Sequence, residues 1–213
     1  MANLTVYVVR HGETLLNTFN RMQGWCDSDL TDKGRQDAIK TGQTIRSVHF
    51  DYTYSSDLNR AIDTKNLILQ QFDYTPKVSR VNHDFREILF GYFEGLDSDA
   101  TWRDVGQPAG YQTQEEIIAD KGLIEARRLM HLADPSNLAE TYEQVIHRWQ
   151  TGLNQLLAEC ADGANVLLVT HGTFIRTLAD FHHIDTLNNY PKNGGISILK
   201  LTDNDSDLIT YNE

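Results

Sequence analysis

Cysteine, basic residues and long apolar runs are all scarce in this chain. Of 213 residues only Cys26 and Cys160 are cysteine. Two cysteines in a chain of this size are no disulfide framework, so both thiols are expected to be reduced. Neither has the Cys or His spacing of a zinc site, and no metal or cofactor is expected. No apolar run approaches the roughly 20 residues that span a bilayer, so no membrane role is expected. Lys and Arg total 19 against 30 Asp and Glu, a net charge of −11. That deficit argues against nucleic acid as a partner, because non-specific binding rests on surplus cations. It leaves room for a small anionic ligand, since a few arginines in a cleft set the local field. The segment MANLTVYVV enters a strand with no basic region or cleavage site, and a cytoplasmic protein is expected.

What is present is globular. Apolar residues make up 40% and charged residues 23%, near the averages for folded domains, and the length suits a single domain over 1–213. Leu4 to Val9 is a β-branched run with the pattern of a strand buried on both faces. Thr31 sits where a helix N-cap would, with Ala38, Ile45 and Val48 on one face of the following helix. YTYSS reads as a second strand. Asp57 is read as the cap of the next helix, with Ala61, Thr64 and Ile68 inward. KVSRV is a third strand. From Asp97 to about Ser136 the rhythm breaks, and this stretch reads as an insertion over a cleft, helical from Glu115 to Leu132. Asn137 is read as the cap of a long helix whose Tyr142, Val145, Trp149, Leu153 and Leu156 keep core spacing. ANVLLVT, GISILKL and DLITYN supply the remaining strands. Alternating strands and helices predict an α/β fold, a mostly parallel central sheet between helical layers.

Two of these strands end alike, in VYVVRHGET and NVLLVTHGT. Ligand sites of open parallel sheets lie beyond the carboxyl ends of strands, which is where His11 and His171 fall. The glycine after each histidine is expected to allow a tight turn and a close approach of ligand to backbone. The first instance is the richer, because RHGETLLN adds Arg10 before the histidine and Asn17 after it. Four further segments follow in order: QGWCDSDLTDKG, SSDLNRAIDT, REILFGYFEG and VTHGTFIR. Together they resemble the histidine phosphatase superfamily, which includes the cofactor-dependent phosphoglycerate mutases. The resemblance covers nearly the whole chain outside 97–136.

Phosphomonoesters are dianions, and their transfer is mainly a matter of positioning and charge stabilisation. Forked, permanently charged arginines suit that task, and a neutral imidazole supplies a nucleophilic nitrogen. The resemblance implies that His11 takes the phosphoryl group and that Glu87 is the general acid and base. It implies that Arg10, Asn17, Arg60 and His171 bind the phosphate, and that Gln23, Gly24 and Gly172 face the substrate. Glu94, in the same segment as Glu87, is the competing acid. Trp25, Tyr92 and Phe93 are candidates for the substrate mouth, with Trp102 and Arg103 as weaker ones. Arg127 and Arg128 could bind a second anionic group, but on a polar helix they read rather as a solvated face. The mutases carry Arg-His-Tyr after their acid, whereas Ile88, Leu89 and Phe90 follow Glu87 here. That departure favours a phosphatase of small phosphorylated metabolites. The alternatives are a 2,3-bisphosphoglycerate-dependent mutase and a non-catalytic phospho-ligand module. Many small α/β enzymes dimerise, and on that base rate alone a homodimer is a candidate state.

Overall fold

The computed structural model describes residues 3–213. Strand β1 (Asn3–Arg10) is followed by a single helical turn, α1 (Leu15–Thr18), then α2 (Asp32–Ile45), β2 (Tyr52–Ser55), α3 (Asn59–Leu69) and β3 (Val78–Val81). Short α4 (Ser98–Gly106) and long α5 (Gln114–Ala133) occupy the stretch read as an insertion. Then come α6 (Tyr142–Glu159), β4 (Asn165–Thr170), α7 (Gly172–Phe181), β5 (Ile196–Thr202) and β6 (Ser206–Thr210). The sheet order is β3-β2-β4-β1-β5-β6. Its first four strands run parallel, and β5 and β6 complete it antiparallel.

Alternation along the central strands separates two apolar layers. Leu4, Val6 and Val8 of β1, with Val166 and Leu168 of β4, face a large core shared with α4 to α7. Val9, Leu167 and Val169 face a smaller cluster with Ile45 of α2 and Ala61 and Ile68 of α3. This is the expected sandwich. The five residues read as the inner face of α6 are all buried. Trp102, Val105, Ile117, Ala126 and Met130, from 97–136, belong to the same core as the sheet.

Two caps differ from the sequence reading. Thr31 caps α2 through its side chain as expected, but α3 starts after Leu58 with no side-chain cap. Asp57 instead receives a forked pair of bonds from Arg86 at 2.7 Å each, which a charged partner makes the stronger use of a carboxylate. Asn137 is a left-handed residue with φ 56°, a conformation its short side chain tolerates. The cap of α6 is Thr141, in a reciprocal capping box with Gln144. Both cysteines are free. Among the described residues no helix is long and apolar enough to cross a membrane.

Candidate active site

Register brings the two histidines together. Strands β1 and β4 are parallel neighbours with Arg10 opposite Thr170, the last pair before each His-Gly. The His11 amide donates to the Thr170 carbonyl at 2.9 Å, continuing the ladder by one bond. The two imidazoles therefore emerge side by side, their ring centroids 5.1 Å apart and tilted by 61°.

The glycines after the two histidines let other parts of the chain pack close. Neither Gly12 nor Gly172 has a positive φ. A side chain on Gly12 would strike the Gly34 carbonyl, and one on Gly34 would strike Glu13. The loop after β1 thus lies directly on the first turn of α2, where Glu13 also accepts from the Thr31 backbone and hydroxyl. Gly172 makes room for the Tyr190 ring and the Arg10 guanidinium. Both glycines make room for neighbouring protein atoms.

His11 is buried, and its Nδ1 lies 2.7 Å from the Gly12 carbonyl. A carbonyl oxygen can only accept, so Nδ1 carries the proton and Nε2 holds the free lone pair. Arg60 Nε donates to that Nε2 at 3.3 Å. Burial, then the charges of Arg60 and Arg10, hold the His11 pKa well below its ordinary value, so the ring stays neutral and nucleophilic. His171 is lowered in the same way, by burial first and then by Arg60 and His11. Both its ring nitrogens are buried without a hydrogen-bond partner among the described residues. Such nitrogens are expensive unless something polar meets them.

A cavity of about 400 Å³ opens above His11, within the range of small-ligand sites. Arg10, His11, Asn17, Gln23 and Glu87 line it. Arg60 and His171 sit beside His11 rather than on the cavity wall, and Gly24 and Gly172 are likewise set back. The forked end of Arg60 grips the turn before it: its Nη groups donate to the carbonyls of Gly24 and Cys26 and to Asp27. Arg10 donates through Nη1 to Pro191 at 2.6 Å, while its buried Nε has no partner among the described residues. Asn17 and Gln23 are joined at 3.3 Å.

The two candidate carboxylates are sorted by position. Glu94 takes backbone amides from Gly24, Trp25, Cys26 and Phe90, pinning the 23–26 turn, and it does not line the cavity. Glu87 does line it, braced against the start of α7 by the amides of Thr173 and Phe174 at 2.9 and 2.8 Å. Of the apolar run after Glu87 only Phe90 reaches the cavity. Trp25 donates to the Glu87 carbonyl but does not line the cavity, Tyr92 is exposed and Phe93 is core. Trp102 lines the cavity and Arg103 a neighbouring hollow.

Arg127 departs from the sequence reading most sharply. Arg128 is exposed and paired with Glu125, but Arg127 is 0% exposed and lines the cavity. All three of its guanidinium nitrogens lack partners among the described residues. Its charge lies over two rings, 5.7 Å from Phe90 and 5.3 Å from Trp102. The signal was present in the sequence: Leu123, Ala126, Arg127 and Met130 fall at the spacing of a buried helical stripe, and all four are buried. Tyr190 and Asn193 also line the cavity; they come from an irregular loop with no periodicity to mark them.

The chain is similar to several known proteins. A family model described as histidine phosphatase superfamily (branch 1) matches residues 6–213. A 2,3-bisphosphoglycerate-dependent phosphoglycerate mutase from Cytophaga hutchinsonii is 32% identical over 196 residues, covering 87% of this chain and 84% of that protein. The crystal structure of a phosphoglycerate mutase from Bacillus anthracis superposes with a TM-score of 0.90 at 34% identity, covering 100% of this chain and 94% of that one. A mycobacterial glucosyl-3-phosphoglycerate phosphatase superposes with a TM-score of 0.69 at 25% identity, covering 98% of each chain.

Proposed function

The chain belongs to the histidine phosphatase superfamily (branch 1), and from that premise we propose that it is a phosphomonoesterase working through a phosphohistidine on His11. The observation that carries the reading is the state of His11. Its proton is committed to Gly12, its Nε2 is unprotonated and meets only a long bond from Arg60 Nε, and His171 stands beside it with two nitrogens that lack partners among the described residues. In the first step Nε2 attacks phosphorus while the bond to the ester oxygen breaks. The Glu87 carboxyl gives its proton to that oxygen. Arg10, Arg60, Asn17 and His171 stabilise the charge on the transferring oxygens. In the second step water attacks the phosphohistidine, Glu87 takes the water proton, and the phosphorus–nitrogen bond breaks.

The substrate is a small metabolite that carries a second anionic group. A guanidinium buried on the cavity wall without an acceptor suits a carboxylate or a second phosphate, while Phe90, Trp102 and Met22 suit carbon between the two ends. The same Arg127 favours a second reading, a phosphoglycerate mutase, since a mutase must hold both ends of a bisphosphorylated intermediate. Ile88, Leu89 and Phe90 in place of the polar Arg-His-Tyr run weigh toward hydrolysis.

The test is release of inorganic phosphate from a panel of phosphorylated metabolites. Mass spectrometry of quenched protein should detect a phosphoryl adduct at residue 11, and His11→Ala should abolish both signals. Interconversion of 3-phosphoglycerate faster than phosphate release, stimulated by 2,3-bisphosphoglycerate, would establish the mutase instead. Inactivity on the whole panel would leave a phospho-ligand-binding module.

A further inference from the structure

The main chain that carries Glu87 belongs to no helix or sheet. It leaves the short 3-10 turn His83–Phe85 with an extended residue, Arg86 (φ −61°, ψ 159°), and reaches the next turn only at Gly91. Its direction therefore depends on what seizes its carbonyls and amides. One side chain takes three carbonyls at and just before Glu87, sharing the last with the Trp25 indole. From two turns inside α6, Arg148 donates through Nη1 to the carbonyls of Asp84 and Arg86, each at 2.8 Å. Through Nη2 it donates to the carbonyl of Glu87 itself at 3.0 Å.

The remaining two donors of the guanidinium go to Glu140, at 2.8 and 3.0 Å. All five N–H groups are thus used, the full capacity of the fork. Glu140 grips the same segment in its turn. Its carboxylate accepts from the Leu89 amide, and its own amide donates to the Leu89 carbonyl, both at 2.9 Å. The Arg148 and Glu140 side chains are only 12% and 13% exposed, so solvent screens the pair little. Arg148 also lies 4.8 Å from the centroid of the Phe174 ring. Phe174 is the residue whose amide donates to the Glu87 carboxylate at 2.8 Å. One guanidinium therefore meets both ends of the problem, the backbone Glu87 hangs from and the helix start it leans on.

We propose that Arg148, held by Glu140, is a positioning residue that aims the Glu87 carboxyl at the leaving-group oxygen. The proposal rests on the reading of Glu87 as the general acid. Lysine keeps the charge but cannot span three carbonyls and a carboxylate from one plane. In Arg148→Lys the acid should be displaced while the nucleophile, on β1, is not.

The experiment compares two esters. Glycerol phosphate has a poor leaving group that needs the acid, and p-nitrophenyl phosphate has a good one that does not. Glu87→Gln should lose about 100-fold or more on the first and far less on the second. Arg148→Lys should show the same selectivity in milder form, about tenfold on glycerol phosphate against threefold or less on p-nitrophenyl phosphate. Added to Glu87→Gln, it should cost nothing further on glycerol phosphate, because it acts only through that carboxyl.

Equal losses on both esters in Arg148→Lys, or a further loss in the double variant, would overturn the proposal while leaving Glu87 as the acid. Equal losses in Glu87→Gln would remove the reading of Glu87, and the proposal with it. If Arg148→Lys fails to fold, Glu140→Gln carries the same comparison, and uniform loss or no loss in that variant would be equally fatal.

Discussion

Arg127 is a charge held in the interior at a cost, and Arg127→Met should release that cost. Burial pulls the guanidinium well below its ordinary value, to about 10, against a partial counter-effect from the Glu87 charge. Each pKa unit corresponds to about 1.4 kcal/mol, so keeping the charge in the folded state costs about 3 kcal/mol at neutral pH. The sign follows from proton binding. From about pH 10 up to the ordinary arginine range the unfolded chain holds a proton that the folded chain has lost, and below that window the penalty is fully expressed. The stacks on Phe90 and Trp102 return about 0.5–1 kcal/mol each, and methionine replaces part of that contact. The net gain in Arg127→Met is on the order of 1 kcal/mol, or about 2–4 °C in Tm for a chain of this length. Binding should move the other way. A charge-assisted bond to a second anionic group is worth about 1.5–3 kcal/mol, so KM for 3-phosphoglycerate should rise about tenfold or more while KM for p-nitrophenyl phosphate holds. Calorimetry and initial-rate kinetics on both proteins read the two effects. A lower Tm with an unchanged ratio of the two KM values would make Arg127 a structural residue and refute the reasoning.

Three other outcomes are expected. Because His11 and His171 are both held well below the ordinary histidine pKa, kcat should persist below pH 6 without the loss that an ordinary histidine nucleophile would show. The same depression means that the unfolded chain binds protons the folded chain refuses. Stability contributed by the two rings is full above about pH 6.5 and is lost on acidification, and His171→Gln should flatten that slope in denaturant titrations. Glu94→Gln leaves four backbone amides with a weaker acceptor; it should raise KM through a loosened 23–26 turn with a smaller effect on kcat, and a kcat effect alone would count against that role. Gly34→Ala drives a methyl into Glu13; activity should fall at least tenfold, because angstrom-scale displacement of reacting groups costs about that much, and crystallography of the variant should show the loop after β1 lifted from α2.

The parts of the site that repeat or sit on periodic elements were readable from the sequence. His11 and His171 were legible because each ends a buried strand in the same two residues, and the inner faces of α3 and α6 followed from spacing. The caps at Asp57 and Asn137 were misread because capping competes with other uses of a short polar side chain: Asp57 found Arg86, and Asn137 took a left-handed turn. Arg127 was misread because its charge was weighed alone, without the apolar stripe of Leu123, Ala126 and Met130 around it. Tyr190 and Asn193 had no such stripe. Their loop is placed by tertiary contacts, with Arg10 bonded to Pro191 and Asn193 bonded to the His11 carbonyl, and such contacts leave no period in a sequence.

The ladder between β1 and β4 carries a kinetic consequence. It joins the first strand of the described chain to one more than 150 residues later, a closure that comes late and slowly in folding because so much chain must be ordered around it. A slip of one residue in that pairing would turn one imidazole to the opposite face of the sheet. Recovery of turnover after denaturation should therefore lag behind the return of helical signal, and a fragment lacking β1 or β4 should be inactive.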